Sequence, residues 1–444
     1  MTRIFGHYVA IEMLLLWCGE TALSFVVIYL LLASGGGGAG HAVIDREALR
    51  VAASLALAIG CIAPVLGLYR PDVCVETRRL VANIAAVGAC VVAVLALFSL
   101  LFSVPGPVWL PRALLAWLFS LLASRAAFAL VLRWDLLARR IAVVGSSLDW
   151  ARAREAVAAR QGAFFRIAAT IPGTSGIVPE ALARERIWGI VVGASARGTV
   201  PPGDLIRCKC RGIRVFNEIE FRERQLQRVE LGNLCQDWLA YADGFSCGRV
   251  QDAIRRAADI GFALALLVAT APLMLLAAVA IRLDSAGPVF YRQERVGRDG
   301  RSFMLVKFRS MSLDAEAGLG PCWAAEHDSR VTRVGRFIRR VRIDELPQLF
   351  NVLRGEMSMI GPRPERPHFV ARLAEAIPGY RDRAYVKPGI TGWAQVNFRY
   401  GASIEDARMK LAYDLYYVKH RSLFLDLLIL ISTLRVVLFQ EGSR

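Results

Sequence analysis

Asp344 and Glu345 are adjacent acids closing the basic run Arg339-Arg340-Val341-Arg342-Ile343. A carboxylate among fixed cations suits the movement of a phosphoryl group. One acid can attack phosphorus and its neighbour can hold Mg2+, while guanidinium groups offset the repulsion between two anions and a diphosphate. Downstream, Leu346, Leu349, Phe350 and Leu353 recur at helical spacing, Pro347 is tolerated in a first turn, and Gly355 marks a stop. This pattern predicts Asp344 at the helix N-cap, where the dipole and free amides favour its ionised form and attract phosphate. An Asp-Glu dipeptide alone is more often a plain cap with a solvated neighbour. The surrounding cations reverse that preference. Arg339 lies about a helical turn before the pair, and Arg363 is held between Pro362 and Pro364, which restrict its backbone. Lys307 and Arg309 follow an alternating strand. Taken singly, each such cation is more often a solvated surface charge.

The elements that must carry these residues are unusual for a soluble enzyme. The chain has 444 residues, enough for two or three domains, and 55% of them are hydrophobic. A mean hydropathy of +0.42 points to membrane residence. The formal charge of +17 suits anionic lipid head groups, nucleic acid or phosphorylated substrates. Membrane segments favour the first and third, so no nucleic-acid partner is expected. A chain merely rich in arginine is the plain alternative. Nine cysteines are scattered, and Cys208-Lys209-Cys210 lacks metal or redox spacing. They are read as reduced packing residues.

Four apolar runs, about Val9 to Ala33, Val51 to Tyr69, Leu80 to Phe102 and Val108 to Leu132, are each long enough to cross a ~30 Å hydrocarbon core. The first lacks a cleavage-site pattern and precedes further spans, so no cleaved signal peptide is expected. Arg70, Arg78, Arg79, Arg133, Arg139 and Arg140 crowd one side, whereas the Gly35 to Gly40 loop and the Pro105 to Pro111 turn carry little charge. Both ends of the bundle are therefore expected in the cytoplasm. Next, strands at Ile141 to Gly145, Ile167 to Ile171, Ile187 to Gly193 and Gly212 to Phe216, with a helix over Ala151 to Arg160, predict a small parallel α/β domain of Rossmann type. Its first turn, Gly145-Ser146-Ser147-Leu148-Asp149-Trp150, is not G-x-G-x-x-G, which favours a structural or regulatory role over cofactor binding. A polar connector, Gly232 to Gly248, leads to a fifth apolar run, Ile260 to Leu283, with Pro272 at its middle and arginines on both flanks. That pattern predicts a hairpin entering and leaving on the cytoplasmic face, the alternative being a kinked span. Leu423 to Phe439 is apolar but carries Asp426 and Arg435, so it is expected to lie in the interface or to pack on the domain.

Five motifs follow one another along the C-terminal half of the chain: Pro288-Val289-Phe290-Tyr291-Arg292-Gln293-Glu294-Arg295-Val296-Gly297, Lys307-Phe308-Arg309-Ser310-Met311, Ile343-Asp344-Glu345-Leu346-Pro347-Gln348-Leu349, Gly361-Pro362-Arg363-Pro364, and Lys387-Pro388-Gly389-Ile390-Thr391-Gly392-Trp393-Ala394-Gln395-Val396. Together they resemble the bacterial sugar transferase family, whose members are polyprenyl-phosphate hexose-1-phosphate transferases. The bundle and degenerate α/β domain are similar to the long-form monotopic phosphoglycosyl transferases.

The resemblance implies Asp344 as nucleophile, Glu345 as Mg2+ ligand, and a re-entrant helix broken at Pro272. Arg339 and Arg363 are expected to hold phosphates, with Lys307, Arg309 and Arg366 in support. Thr391 and Gln395 are expected near the nucleotide or closing the fold, and Trp393 in packing. The expected architecture is a multi-domain membrane α plus α/β protein. A four-helix transmembrane bundle spans 1-137, a Rossmann-like domain without a catalytic role 138-230, a connector 231-250, and the re-entrant helix with an α+β catalytic domain 251-444. The expected reaction moves hexose-1-phosphate from a UDP-hexose to undecaprenyl phosphate, giving undecaprenyl-diphosphate-hexose and UMP. It would open exopolysaccharide, capsule or O-antigen synthesis on the cytoplasmic face of the bacterial inner membrane. Membrane lipid is an expected partner, and family resemblance suggests a homodimer. The rivals are a non-catalytic scaffold or sensor, a glycosyltransferase releasing UDP, and a dehydrogenase using the α/β domain.

Overall fold

The computed structural model describes residues 2–4, 7–9, 11–35, 46–69, 77–102, 109–134, 137–158, 164–174, 176–231, 244–245, 248–312, 330–398, 401 and 403–439. The loops used above for orientation, around 36–45, 70–76 and 103–108, and most of the 231–250 connector lie outside them. Tyr8–Leu226 and Gln227–Arg444 form two compact units.

The first unit begins with four helices, α1 (Ile11–Gly35), α2 (Arg46–Val65), α3 (Thr77–Phe102) and α4 (Trp109–Arg133). Leu55, Ile59, Val87, Val91, Trp117 and Leu121 pack inward, while Leu15, Leu57, Leu115 and Phe119 are exposed. Apolar side chains on both sides of a helix suit a bundle whose outer solvent is lipid. Among the described residues, Ile11–Ala33, Ala48–Val65, Leu114–Leu132 and, in the second unit, Arg249–Asp284 are long and apolar enough to cross a membrane, and Leu80–Ala93 is a shorter apolar segment. Among the described residues, one charge pair lies within this bundle. Glu20 on α1 meets Arg125 on α4 at 2.9 Å and also accepts from Tyr69 at 2.7 Å and Ser124 at 2.8 Å. Partners on separate segments satisfy the buried carboxylate and join those segments, which is what a charge inside an apolar bundle requires.

The α/β region follows in the same unit. Strands β1 (Arg139–Val144), β2 (Phe165–Ile171), β3 (Gly189–Val192) and β4 (Arg214–Asn217) form a parallel sheet in the order β2-β1-β3-β4. Helices α5 (Ser147–Ala158), α6 (Pro179–Arg184), α7 (Pro202–Cys210) and α8 (Glu218–Leu226) complete it. Every residue of β3 is buried, as a parallel strand covered on both faces must be. The alternation of strands and helices in the sequence thus gives the doubly wound arrangement.

The second unit is built on α9 (Arg249–Asp284), a single helix that runs through Pro272. Proline lacks an N–H, so the hydrogen bond that residue 272 would make one turn back is lost. Arg255, Asp259, Ala263, Ala277 and Ile281, at intervals of four or fourteen residues that return to the same helix face, form one buried stripe. The other faces stay open and apolar, with Val268 76% and Leu275 67% exposed. The polar members of the stripe anchor the helix. Arg255 pairs with Asp426 at 2.7 Å, and Asp259 accepts from the Met359 N–H at 2.9 Å and the Ser358 hydroxyl at 3.0 Å.

An antiparallel hairpin follows, β5 (Phe290–Val296) with β6 (Ser302–Phe308). Then come α10 (Arg333–Arg340), a 3-10 turn (Ile343–Glu345) and α11 (Gln348–Arg354). Strand β7 (Ser358–Ile360) pairs in parallel with β8 (Gly389–Thr391), with α12 (Pro367–Ala376) between them. The last helices are α13 (Trp393–Asn397), α14 (Ile404–His420) and α15 (Leu423–Phe439). Leu425 and Ile429 of α15 are fully buried and Asp426 also accepts from Tyr417 at 2.9 Å. Of the two expectations for this segment, packing on the domain holds, because Asp426 finds its partners there.

Candidate active site

The acid pair owes its place to a sharp local turn. Helix α10 starts at Thr332, whose hydroxyl accepts from the Gly335 N–H at 2.9 Å, while Asp284 at the end of α9 accepts from the Val334 N–H at 3.1 Å. Gly335 touches the Ser310 carbonyl so closely that a Cβ would overlap it, which brings the Lys307-to-Met311 motif alongside α10. After α10, Arg342 takes a left-handed conformation, φ 57° and ψ 20°. For a residue with a Cβ this costs roughly 1–2 kcal/mol. The chain thereby swings into the 3-10 turn that holds Asp344 and Glu345. The N-cap expected at Asp344 falls instead at Pro347, because the proline fixes the start of α11 at Gln348. Gly355 does end α11, with a left-handed φ of 84°.

Asn351 of α11 is fully buried and locks the pair to the hairpin. Its side chain accepts from the Val306 N–H at 3.1 Å and donates to the Met304 carbonyl at 2.8 Å. With the α11–β6 register fixed, Lys307 Nζ stands 3.3 Å from Glu345 Oε1. Arg363 Nη2 lies 2.8 Å from the same oxygen and Arg342 Nη1 is 3.6 Å from Oε2. Glu345 thus gathers three cations. Burial pushes its carboxyl upward, but Arg363, Lys307 and Arg342 outweigh burial and hold it well below the usual range.

Asp344 is in the opposite state. It is 9% exposed, and no donor among the described residues bonds to its carboxylate. Burial, and then the charge of Glu345, raise its pKa to about 6 against weaker opposition from Lys307, Arg339 and Arg363. At neutral pH the carboxylate is still ionised by about tenfold over the acid form. It is a basic carboxylate, without a bonded donor among the described residues and within electrostatic reach of cations.

The Arg363 loop is held by its backbone. Arg383 Nη2 donates to the Arg363 carbonyl at 2.9 Å, Arg295 Nη1 to the Pro364 carbonyl at 3.1 Å, and the Val296 N–H to the Glu365 carbonyl at 2.9 Å. Asp414 balances Arg383 at 2.7 Å. Underneath, Gly361 donates to the Thr391 carbonyl at 2.8 Å and Gly389 to the Pro362 carbonyl at 3.0 Å. A Cβ on Gly361, Gly389 or Gly392 would overlap backbone atoms of the other segment. The glycines of the two motifs therefore let two backbones interlock.

Lys307, Arg363, Asp344 and Glu345 meet, and half-buried Arg339 acts electrostatically on Asp344. Arg309 is directed elsewhere, donating to the Ser285 and Ala286 carbonyls at 2.7 and 2.8 Å, just beyond the end of α9. Arg366 stands over the Phe369 ring at 5.9 Å. The Thr391 hydroxyl bonds to that of Thr433 at 2.6 Å and Gln395 donates to the Ile390 carbonyl at 2.9 Å, so both close the fold. Trp393 packs on Tyr416 and donates to the Gln227 carbonyl at 2.9 Å. Arg342, Arg295 and Arg383 were missed. The first could have been found from its i,i+3 spacing to Glu345; the other two act through contacts distant in sequence.

A divalent cation that shares its coordination with substrate phosphates needs one or two carboxylates and keeps several waters. The Asp344–Glu345 pair fits that donor set, and no cluster of three acidic, histidine or cysteine side chains suited to a metal occurs among the described residues.

Residues 250–440 match the family model described as bacterial sugar transferase. The chain is 44% identical over 240 residues, 54% of its own length and 56% of the relative's, to a UDP-N-acetylgalactosamine-undecaprenyl-phosphate N-acetylgalactosaminephosphotransferase of Aeromonas hydrophila. It is 47% identical over 174 residues, 39% of its length and 36% of the relative's, to a UDP-glucose:undecaprenyl-phosphate glucose-1-phosphate transferase of Xanthomonas campestris pv. campestris. A protein of the same description from Caulobacter vibrioides is 43% identical over 194 residues, 43% of this chain and 72% of that relative. The chain thus spans about half or less of the length of the first two relatives. The motifs between Pro288 and Val396 all lie within residues 250–440, most of the length of the Caulobacter relative is covered, and the chain belongs to the bacterial sugar transferase family.

Proposed function

We propose that the second unit transfers a hexose-1-phosphate from a UDP-hexose to undecaprenyl phosphate at the cytoplasmic face of the membrane. The observation that carries this reading is the division of labour in the acid pair: Glu345 collects the cations, while Asp344 has no bonded donor among the described residues and is basic. The names of the relatives agree with it.

An oxygen of Asp344 attacks the sugar-bearing phosphorus, the bond from that phosphorus to the oxygen of UMP breaks, and an aspartyl phosphosugar remains. A phosphate oxygen of undecaprenyl phosphate then attacks the same phosphorus. The aspartyl bond breaks and undecaprenyl-diphosphate-hexose leaves with Asp344 regenerated. Two bulky substrates thereby use one site in turn. Arg363 and Lys307, which pair with Glu345, and Arg339, which acts on Asp344, would bind diphosphate oxygens. Glu345, with the substrate's phosphates, would hold Mg2+, which neutralises charge developing on the leaving group. Helix α9 serves as a re-entrant anchor centred on Pro272, setting the site at head-group depth. The sheet domain takes no chemical part.

The test is product identity. With UDP-hexose and Mg2+ but no acceptor, the chain should release about one equivalent of UMP and retain phosphosugar on Asp344; Asp344→Asn should release none. Full turnover by that variant would sink the nucleophile assignment, and UDP as product would favour direct sugar transfer.

A further inference from the structure

A groove of about 420 Å3 opens between the second half of α9 and helix α10. Leu273, Leu276 and Ala280 wall one side and Val334, Phe337 and Ile343 the other, and Arg333 is its one charged lining residue. The size falls in the range of ligand pockets, and the walls are open, with Leu276 67% and Phe337 61% exposed. Beneath them, Ala277, Ile281, Phe308, Ile338 and Ile343 pack as a small separate core, so the floor is rigid.

Two features choose the occupant. Ile343, which lines one end of the groove, directly precedes Asp344 in the chain, so that end of the groove adjoins the residue that carries the reacting carboxylate. Helix α10, which forms one wall, carries Arg333, Arg336, Arg339 and Arg340, and Arg339 already acts on Asp344. An apolar channel ending among cations beside a nucleophile complements a molecule with a long hydrocarbon chain and an anionic head. A nucleotide sugar has no apolar part to fill it, and a neutral lipid has no charge to meet those arginines.

We propose that this groove binds the isoprenoid chain of the acceptor lipid phosphate and delivers its phosphate to Asp344 from the membrane side. The assignment rests on the reaction proposed above and locates one of its two substrates. Small residues on α9, Ala277 and Ala280, leave the room, and α9 itself places the channel where a lipid chain lies.

The experiment separates the two half-reactions in the full chain reconstituted in lipid nanodiscs. UMP release without acceptor reads the first; product formation against undecaprenyl phosphate concentration reads the second. Ala280→Phe should raise the KM for undecaprenyl phosphate at least tenfold while the UMP burst, which also reports folding, keeps its amplitude. Phe337→Trp obstructs the groove from an exposed position and should raise the same KM without disturbing the core. If both variants keep an acceptor KM within twofold of the parent, the groove merely faces bulk acyl chains and the proposal fails. If the parent chain itself shows no UMP burst, the underlying reaction is what fails.

Discussion

Asp149 and Asp344 are both buried aspartates just past a turn of the chain, one at the switch point of the parallel sheet and one in the second unit. They are in opposite states. Asp149 accepts from the Ser146 N–H at 2.8 Å, from the Ser146 hydroxyl at 3.0 Å and from the Ser195 hydroxyl. Burial opposes its charge, but these donors overcome it and lower its pKa. A Cβ on Gly145 or Gly193 would overlap its carboxylate. In a dinucleotide-binding turn, such glycine space and the adjoining helix start receive a pyrophosphate. Here the protein's own carboxylate takes that space. Asp344 has cations near it and no donor bonded to it among the described residues. A buried carboxylate supplied with donors is a finished structural part, whereas one left basic is available for chemistry.

The largest effect that would break this contrast comes from Asp344→Asn. UMP release should fall at least ~1000-fold, the scale on which loss of a covalent nucleophile is felt. The fold should not suffer. Because the folded-state pKa of Asp344 is raised, its ionisation disfavours the folded state as pH rises through about 6, so the variant's melting temperature at pH 7.5 should equal or exceed the parent's. A clear drop would mean that the carboxylate is structural after all.

Glu345→Gln should behave differently on both counts. Activity should drop about 100-fold, and stability by roughly 1–3 kcal/mol, since Arg363 and Lys307 lose their common charge partner. The folded pKa of Glu345 is depressed, so its contribution is present above the ordinary glutamate range and is lost only as pH falls toward the depressed value. Denaturant titration at pH 7.5 measures the difference.

A smaller effect is expected on the pH profile. With Asp344 titrating near 6, UMP release at limiting substrate should rise about tenfold from pH 5 to pH 6.5 and level above it. A flat profile across that window would argue against Asp344 as the titrating nucleophile.

The smallest effect on activity is expected at the sheet. Asp149→Asn should lower the stability of the first unit by ~1 kcal/mol, because a charge-assisted acceptor becomes a poorer one, and leave UMP release within twofold. Since the folded pKa of Asp149 is lowered, this contribution should be present above pH 4 and fade below it. A dinucleotide titrated against the parent chain should show no saturable binding.

Much of the architecture was legible because its causes are local or periodic. Lipid demands long apolar helices, a covered parallel strand such as Ile190-Val191-Val192 demands a continuous apolar run, and Gly355 can end a helix in a conformation other residues resist. The charges of α15 also declared themselves, since Asp426 and Arg435 in an apolar helix must find partners or water. The candidate site was legible only in outline. Arg309 looked equivalent to Lys307 two residues away, but the strand alternation could not say that its guanidinium would bind the Ser285 and Ala286 carbonyls. Nor could spacing show that Gly361, Gly389 and Gly392 serve an interlock of two backbones, for those contacts span about thirty residues.

The sequence by itself determined which residue types were available for chemistry, the pair of acids and the cations near it, together with the apolar lengths that bring them to a membrane. Only the tertiary structure decided which acid would be neutralised and which left basic. That depends on the left-handed turn at Arg342, on Asn351 fixing the register of Lys307, and on the bracing of the Arg363 loop by Arg295 and Arg383. Charge interactions fall off with distance and strengthen with burial, so two adjacent carboxyl groups with the same chemistry acquire different states once folding sets how closely each approaches its cations, of which they share Lys307 and Arg363.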